Sequence, residues 1–164
     1  MLGSNSTKAA RESGRNCLVM KVLSQRSITL DALQKNLRMV WKPNKSMQIP
    51  KLEDELYMVK FRVEKDKKKI LEMRPWSYDK ELIILQDFEG DQMPKEMALK
   101  WSPFWIQIHN LPLKSRTRET GYSIGTIIGD RGGCRKDRSA VGEMLRVRVM
   151  VDWNGNMSGS RWVF

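Results

Sequence analysis

The sequence predicts an α+β fold, an antiparallel sheet that carries its helices on one face. Three observations lead there. Stretches in which apolar and polar residues alternate are interleaved with stretches in which apolar residues recur every three or four positions. Pro, Gly, Asn and Asp stand between them as punctuation. A length of 164 residues with 40% hydrophobic content is enough for one domain with a real core. The expected organisation is a disordered tail over 1–16, a single α+β domain over 17–153, and a linker or tail over 154–164.

CLVMKVLS (17–24) is a short apolar run fit for a buried strand. In SITLDALQKNLRMVWKP, Leu30, Leu33, Leu37 and Val40 recur at helical spacing, Thr29 can cap the start and Pro43 closes the end. MQIPKL (47–52) reads as an edge strand, because Pro50 lacks the N–H that a ladder uses. LYMVKFRV (56–63) puts Tyr57, Val59, Phe61 and Val63 on one face, and Leu56, Met58, Lys60 and Arg62 on the other. EKDKKKILEMRP predicts a short helix that buries Ile70, Leu71 and Met73 and stops before Pro75. ELIILQDF (81–88) is a further strand. The order β-α-β-β-α-β is the split arrangement of ferredoxin-like domains, which RNA-recognition folds share.

A connector, DQMPKEMALKWS, leads into PFWIQIHNLP (103–112). There, alternation puts Phe104, Ile106 and Ile108 on one face and Trp105, Gln107 and His109 on the other. A helix is expected from about Arg116, with Gly121, Gly125 and Gly129 four apart so that it lies close on a sheet. GDRGGCRKDRSAVG reads as turn-rich. LRVRVMVDW then forms a strand with Val147, Val149 and Val151 inward and Arg146 and Arg148 outward. These pieces extend the first half by a further β-α-β segment.

Charge narrows the function classes. The chain carries 30 Lys and Arg against 19 Asp and Glu, a net +11, which attracts polyanions. No apolar run approaches the roughly 20 residues that cross a bilayer, so no membrane partner is expected. With two cysteines, Cys17 and Cys134, and one histidine, a structural zinc site of four ligands is not expected, nor is any other cofactor. Both thiols are expected to be reduced, and the absence of a secretory signal suits a nuclear or cytoplasmic setting.

The candidate sites follow from chemistry. His109 has no nucleophile elbow, paired acids or metal cluster beside it in the sequence, so it reads as a structural or surface residue and no enzyme or small-molecule substrate is expected. Trp76 and Trp105 can either pack or stack on bases, with Trp105 the better stacking candidate. The RNA-recognition signature supplies stacking rings at its third and fifth positions; with Phe61 aligned to the last position, those places hold Leu56 and Met58. The usual platform is therefore missing, and charge carries the remaining signal. Residues 35–74 hold twelve Lys and Arg against six acids, with Lys65, Lys67, Lys68 and Lys69 clustered; of these Lys67 and Lys68 are taken as contacts. Residues 114–148 hold nine against four, and Arg131, Arg135, Lys136 and Arg138, together with Arg146 and Arg148, are the better phosphate contacts, because guanidinium forks match phosphate oxygens. GDRGG lacks the Walker pattern and reads as a turn.

In this order the pieces resemble a plant family, the domain of unknown function 4283. The resemblance rests on VWKP after the first helix, RPWSYDKELIILQDFEGD at 74–91, PFWIQIHNLPLKSRT at 103–117, GYSIGTIIGD at 121–130 and LRVRVMVD at 145–152. Such proteins are similar to the gag-like first-reading-frame proteins of plant LINE retrotransposons. The resemblance implies a nucleic-acid-associated domain followed by a C-x2-C-x4-H-x4-C zinc knuckle. That pattern does not occur before Phe164, which suggests a truncated or diverged copy, and zinc-dependent binding is not carried over. The function expected is binding of single-stranded nucleic acid, RNA ahead of DNA, mainly through phosphates. The competing expectation is a protein-interaction or self-association module forming a homo-oligomer, which exposed apolar residues such as Leu56 and Met58 would favour.

Overall fold

The structure, a computed structural model, describes residues 15–139 and 142–153, with the backbone alone over residues 130–143. Of the tails expected over residues 1–16 and 154–164, residues 1–14 and 154–164 lie outside the described residues. The architecture is α+β, with three α-helices among the described residues and only antiparallel pairing between neighbouring strands. The chain divides into two compact units, one running to Leu99 and the other starting at Lys100.

In the first unit, β1 (Cys17–Val22) leads through α1 (Leu30–Trp41) to the short strands β2 (Met47–Gln48) and β3 (Lys51–Glu53), then to β4 (Leu56–Phe61). Helix α2 (Glu64–Glu72), β5 (Trp76–Tyr78) and β6 (Glu81–Asp87) complete it. The sheet runs β2-β4-β1-β6-β5, with β3 also paired to β4. Pro50 splits the expected edge strand in two, as its missing N–H requires; its carbonyl still accepts the Met58 N–H at 3.0 Å.

Leu33, Leu37 and Trp41 of α1 and Ile70 of α2 converge on Leu18, Met20 and Val22 of β1, Tyr57, Val59 and Phe61 of β4, and Ile83 and Leu85 of β6. Each such buried large side chain contributes about 1.5–3 kcal/mol. The expected Val40 is 46% exposed, and Trp41 fills the helical i+4 position after Leu37. The Trp41 ring lies 6.4 Å from Phe61 and 6.0 Å, edge-on, from Trp76. Arg38 and Gln34 hold the edge to α1 by donating to the carbonyls of Met47 and Ile49, both at 3.2 Å.

Helix α2 keeps part of its expected face, with Leu71 packed against the core that holds Ile70. Ile70 is buried, but Met73 is exposed, and Asp66 and Lys67 turn inward instead. The RPW block caps the end of the helix. Arg74 Nε donates to Leu71 O at 2.7 Å, and Trp76 Nε1 donates to Ile70 O at 2.8 Å, so both side chains close the last turn of α2. Trp76 packs here, and β5, absent from the expected elements, pairs with β6 through a two-residue loop. Asp79 and Lys80 both have positive φ, 49° and 65°, the backbone of a type I′ hairpin.

The second unit contains β7 (Trp101–Ile108), α3 (Arg118–Ile128), β8 (Asp130–Ser139) and β9 (Gly142–Asp152). Its own sheet runs β7-β9-β8. The expected β-α-β extension is thus β-α-β-β in a separate sheet, and the turn-rich stretch after Gly129 is the strand β8. Its Gly and charged residues have low strand propensity, but pairing along β9 decides the conformation. The register slips between Arg131 and Cys134, where Gly132 and Gly133 form a bulge. Pro103 is tolerated because β7 is an edge strand.

Helix α3 begins at Thr117, whose Oγ1 accepts the Thr120 N–H at 3.2 Å. Its glycines bring it close to β9, as expected. A Cβ at Gly125 would stand 3.0 Å from a Val147 methyl, and one at Gly129 would stand 2.3 Å from Met150 O. Among the described residues no helix is long and apolar enough to cross a membrane.

Candidate nucleic-acid interface

Strands β7 and β9 pair over eight residues, and the register sorts their side chains. Phe104, Ile106 and Ile108 stand opposite Val149, Val147 and Leu145. The three β9 residues are at most 1% exposed. By alternation, Trp105 and Gln107 share the other face with their partners Arg148 and Arg146. The inward-and-outward division expected for both segments therefore appears as one apolar face and one face of Trp, Gln and Arg.

On that second face the Arg148 guanidinium carbon lies 5.9 Å from the Trp105 ring centroid, and that of Arg146 lies 6.0 Å away. Both are within cation–π reach. Trp105, Arg146 and Arg148 are each half-buried. At the end of β7, exposed His109 places Nε2 3.1 Å from Gln107 Oε1. Among the described residues no acid or nucleophile contacts its ring, so its geometry is that of a surface residue. Sequence reasoning identified these outward residues but not their convergence; the signal was an aromatic and two arginines at alternating positions of strands that pair.

The backbone register adds Arg135 directly opposite Arg146, with Lys136 opposite Leu145, Arg138 opposite Glu143 and Arg131 opposite Val149. The side chains of Arg131, Arg135, Lys136 and Arg138 lie outside the described ones. Cys134 belongs to the same stretch, whereas Cys17 is a buried thiol that forms no disulfide. Burial pushes the Cys17 pKa up, and Lys60 and Lys67 only partly oppose that rise.

The two lysines of the first unit differ from each other. Lys68 is exposed and pairs with Glu64, one helical turn away, at 3.4 Å. Lys67 is 5% exposed, donates to Arg15 O at 2.6 Å and forms an ion pair with Asp87. Its ammonium is therefore engaged inside the unit, which does not fit the nucleic-acid contact expected of it. Asp66 beside it is 1% exposed; its carboxylate accepts the Asn44 side-chain amide at 2.7 Å and the Lys45 N–H at 3.1 Å. Burial alone would raise its pKa, but the Asn44 and Lys45 hydrogen bonds and the Lys69 charge outweigh it and hold the carboxyl below its ordinary value.

Leu56 and Met58, in the ring positions of the RNA-recognition signature, are 9% and 8% exposed. Among the described residues there is no cluster of three or more His, Cys, Asp or Glu able to hold a metal.

Compared with curated proteins, the chain has no match. The profile of one family does match, over residues 10–96, so the Trp105 face lies beyond the matched stretch. That stretch is just over half of the 164 residues and includes β1 to β6, and the protein belongs to the family described as a domain of unknown function (DUF4283).

Proposed function

We propose that the protein binds single-stranded nucleic acid, RNA ahead of DNA, through phosphate contacts made mainly by its second unit, with weak sequence preference. The observation that carries this reading is the gathering of Arg146 and Arg148 around Trp105 on one face of the β7–β9 pair. Guanidinium forks match phosphate oxygens bidentately, and a net +11 draws a polyanion toward them. Arg135 stands opposite Arg146 in the backbone register.

The reading includes descent from a gag-like retroelement protein and a ferredoxin-like topology for the first unit. With β2 and β3 counted as one edge strand split at Pro50 and with β5 set aside, the order is β-α-β-β-α-β, and with the β2-β4-β1-β6 strand sequence it supports the topology. Catalysis, a cofactor and a membrane play no part in it. The self-association alternative would draw support from an exposed apolar sheet face, and Leu56 and Met58 supply none.

The experiment is anisotropy of a labelled single-stranded RNA across a salt series, with duplex DNA as competitor. Log affinity should fall with log salt by about 0.7 per phosphate neutralised, so the Arg146→Gln/Arg148→Gln double variant should lower the slope by about 1.4. Absence of binding at low salt would sink the proposal.

A further inference from the structure

We infer that Trp105 is the brace of a two-guanidinium phosphate clamp and not a platform for a nucleobase, so that the ligand is the sugar–phosphate backbone itself. The inference rests on the nucleic-acid reading above and specifies what the site recognises.

A stacking platform presents a ring face to the base. Around Trp105 two cations lie near the ring, with centroid distances of 5.9 and 6.0 Å. Arg148 is directly across the ladder and Arg146 is its neighbour two residues along β9, so the strand geometry itself brings both to one ring. A base and a guanidinium compete for the same π surface.

The residue type matters as much as the place. A guanidinium stacks through its face while its N–H donors lie in the plane, so a ring can hold it and a phosphate can bond it at once. A lysine ammonium has no such division. The two arginine Cα atoms are about 6.8 Å apart along the strand, two residues at roughly 3.4 Å each. Each guanidinium is drawn to the negative face of the indole. Trp105 is then a positioning residue: it sets where the forks point and touches no base.

The test compares the whole protein's affinity for oligothymidylate and for an abasic phosphodiester strand of equal length, each across a salt series. A stacked base is worth about fivefold to a hundredfold in affinity, whereas the brace predicts agreement within about twofold and equal salt slopes. Trp105→Ala should weaken both strands by the same factor, and Trp105→Phe should restore most of the loss on both. Tenfold or greater preference for the base-bearing strand, erased by Trp105→Ala, would overturn the brace and leave phosphate-led binding standing. Failure of both strands to bind at low salt would overturn the nucleic-acid reading and the brace with it. The wild-type comparison needs no variant, so a Trp105 variant that folds poorly does not obscure the result.

Discussion

Replacing Gly129 with Ala should be among the most damaging single-methyl additions to the second unit. Its φ of 177° is extended backbone that any residue adopts, so the cost is purely steric. The added Cβ would stand 2.3 Å from Met150 O, 3.1 Å from a Val149 methyl and 3.3 Å from the Met150 carbonyl carbon. An ordinary carbon–oxygen contact begins near 3.3 Å, so about 1 Å of relief must come from the backbone of β9 or of the α3 terminus. Overpacking of this kind costs about 1–3 kcal/mol, and a rigid carbonyl obstacle places it toward the upper end. Gly125→Ala is the internal control. Its Cβ meets only Val147 and Val149 methyls, at 3.0 and 3.4 Å, and alanine regains up to about 1 kcal/mol of helix propensity, so the net change should lie within about 1 kcal/mol of zero. Urea denaturation followed by circular dichroism reads both variants, and thermal melts should show Gly129→Ala lower by about 10 °C. Equal stability of the two variants, or a Gly129→Ala protein as stable as wild type, would refute the close-approach reasoning.

Lys67→Met should cost about 1–2 kcal/mol in urea unfolding, less than a fully buried pair, because Asp87 is half-exposed and can rehydrate. The same variant should leave the salt slope of RNA binding unchanged, since Lys67 points inward. Asp66→Asn should destabilise the protein at pH 7. The folded-state pKa of Asp66 lies below the ordinary 3.8, so its contribution is present above that value and lost as the pH falls through the depressed pKa. The stabilities of variant and wild type should therefore converge as the pH falls below 3.8, and a gap that widened on acidification would contradict the assigned partners. His109→Ala should change neither stability beyond about 0.5 kcal/mol nor RNA affinity, as fits an exposed surface side chain.

Much of the first unit could be read from its sequence, because its signals are local. The apolar run at 17–24, the alternating stretch at 56–63 and the stretch at 81–88 formed strands over 17–22, 56–61 and 81–87, and Leu33 and Leu37 fell on the buried face of α1 as their spacing required. What failed depended on distant partners. Lys67 reads as surface because lysine usually is; only the fold brings Asp87 and Arg15 to it. Strand β8 has a loop's composition, and its conformation comes from β9, not from its own residues. The same dependence hid the interface. Trp105 lies about forty residues from Arg146 and Arg148, and their meeting follows from a register that no short window contains.

Strand β1 pairs along both edges, with β4 and β6, and its residues Leu18, Val19 and Met20 are wholly buried. In the second sheet β9 holds the same central place between β7 and β8. Backbone amides in such positions exchange with deuterium only when the whole surrounding unit opens. Protection factors at Leu18–Met20 would therefore report the opening free energy of the first unit, and those at Val147–Val149 that of the second. A single labelled sample would then tell whether a bound strand tightens one half of the molecule or both.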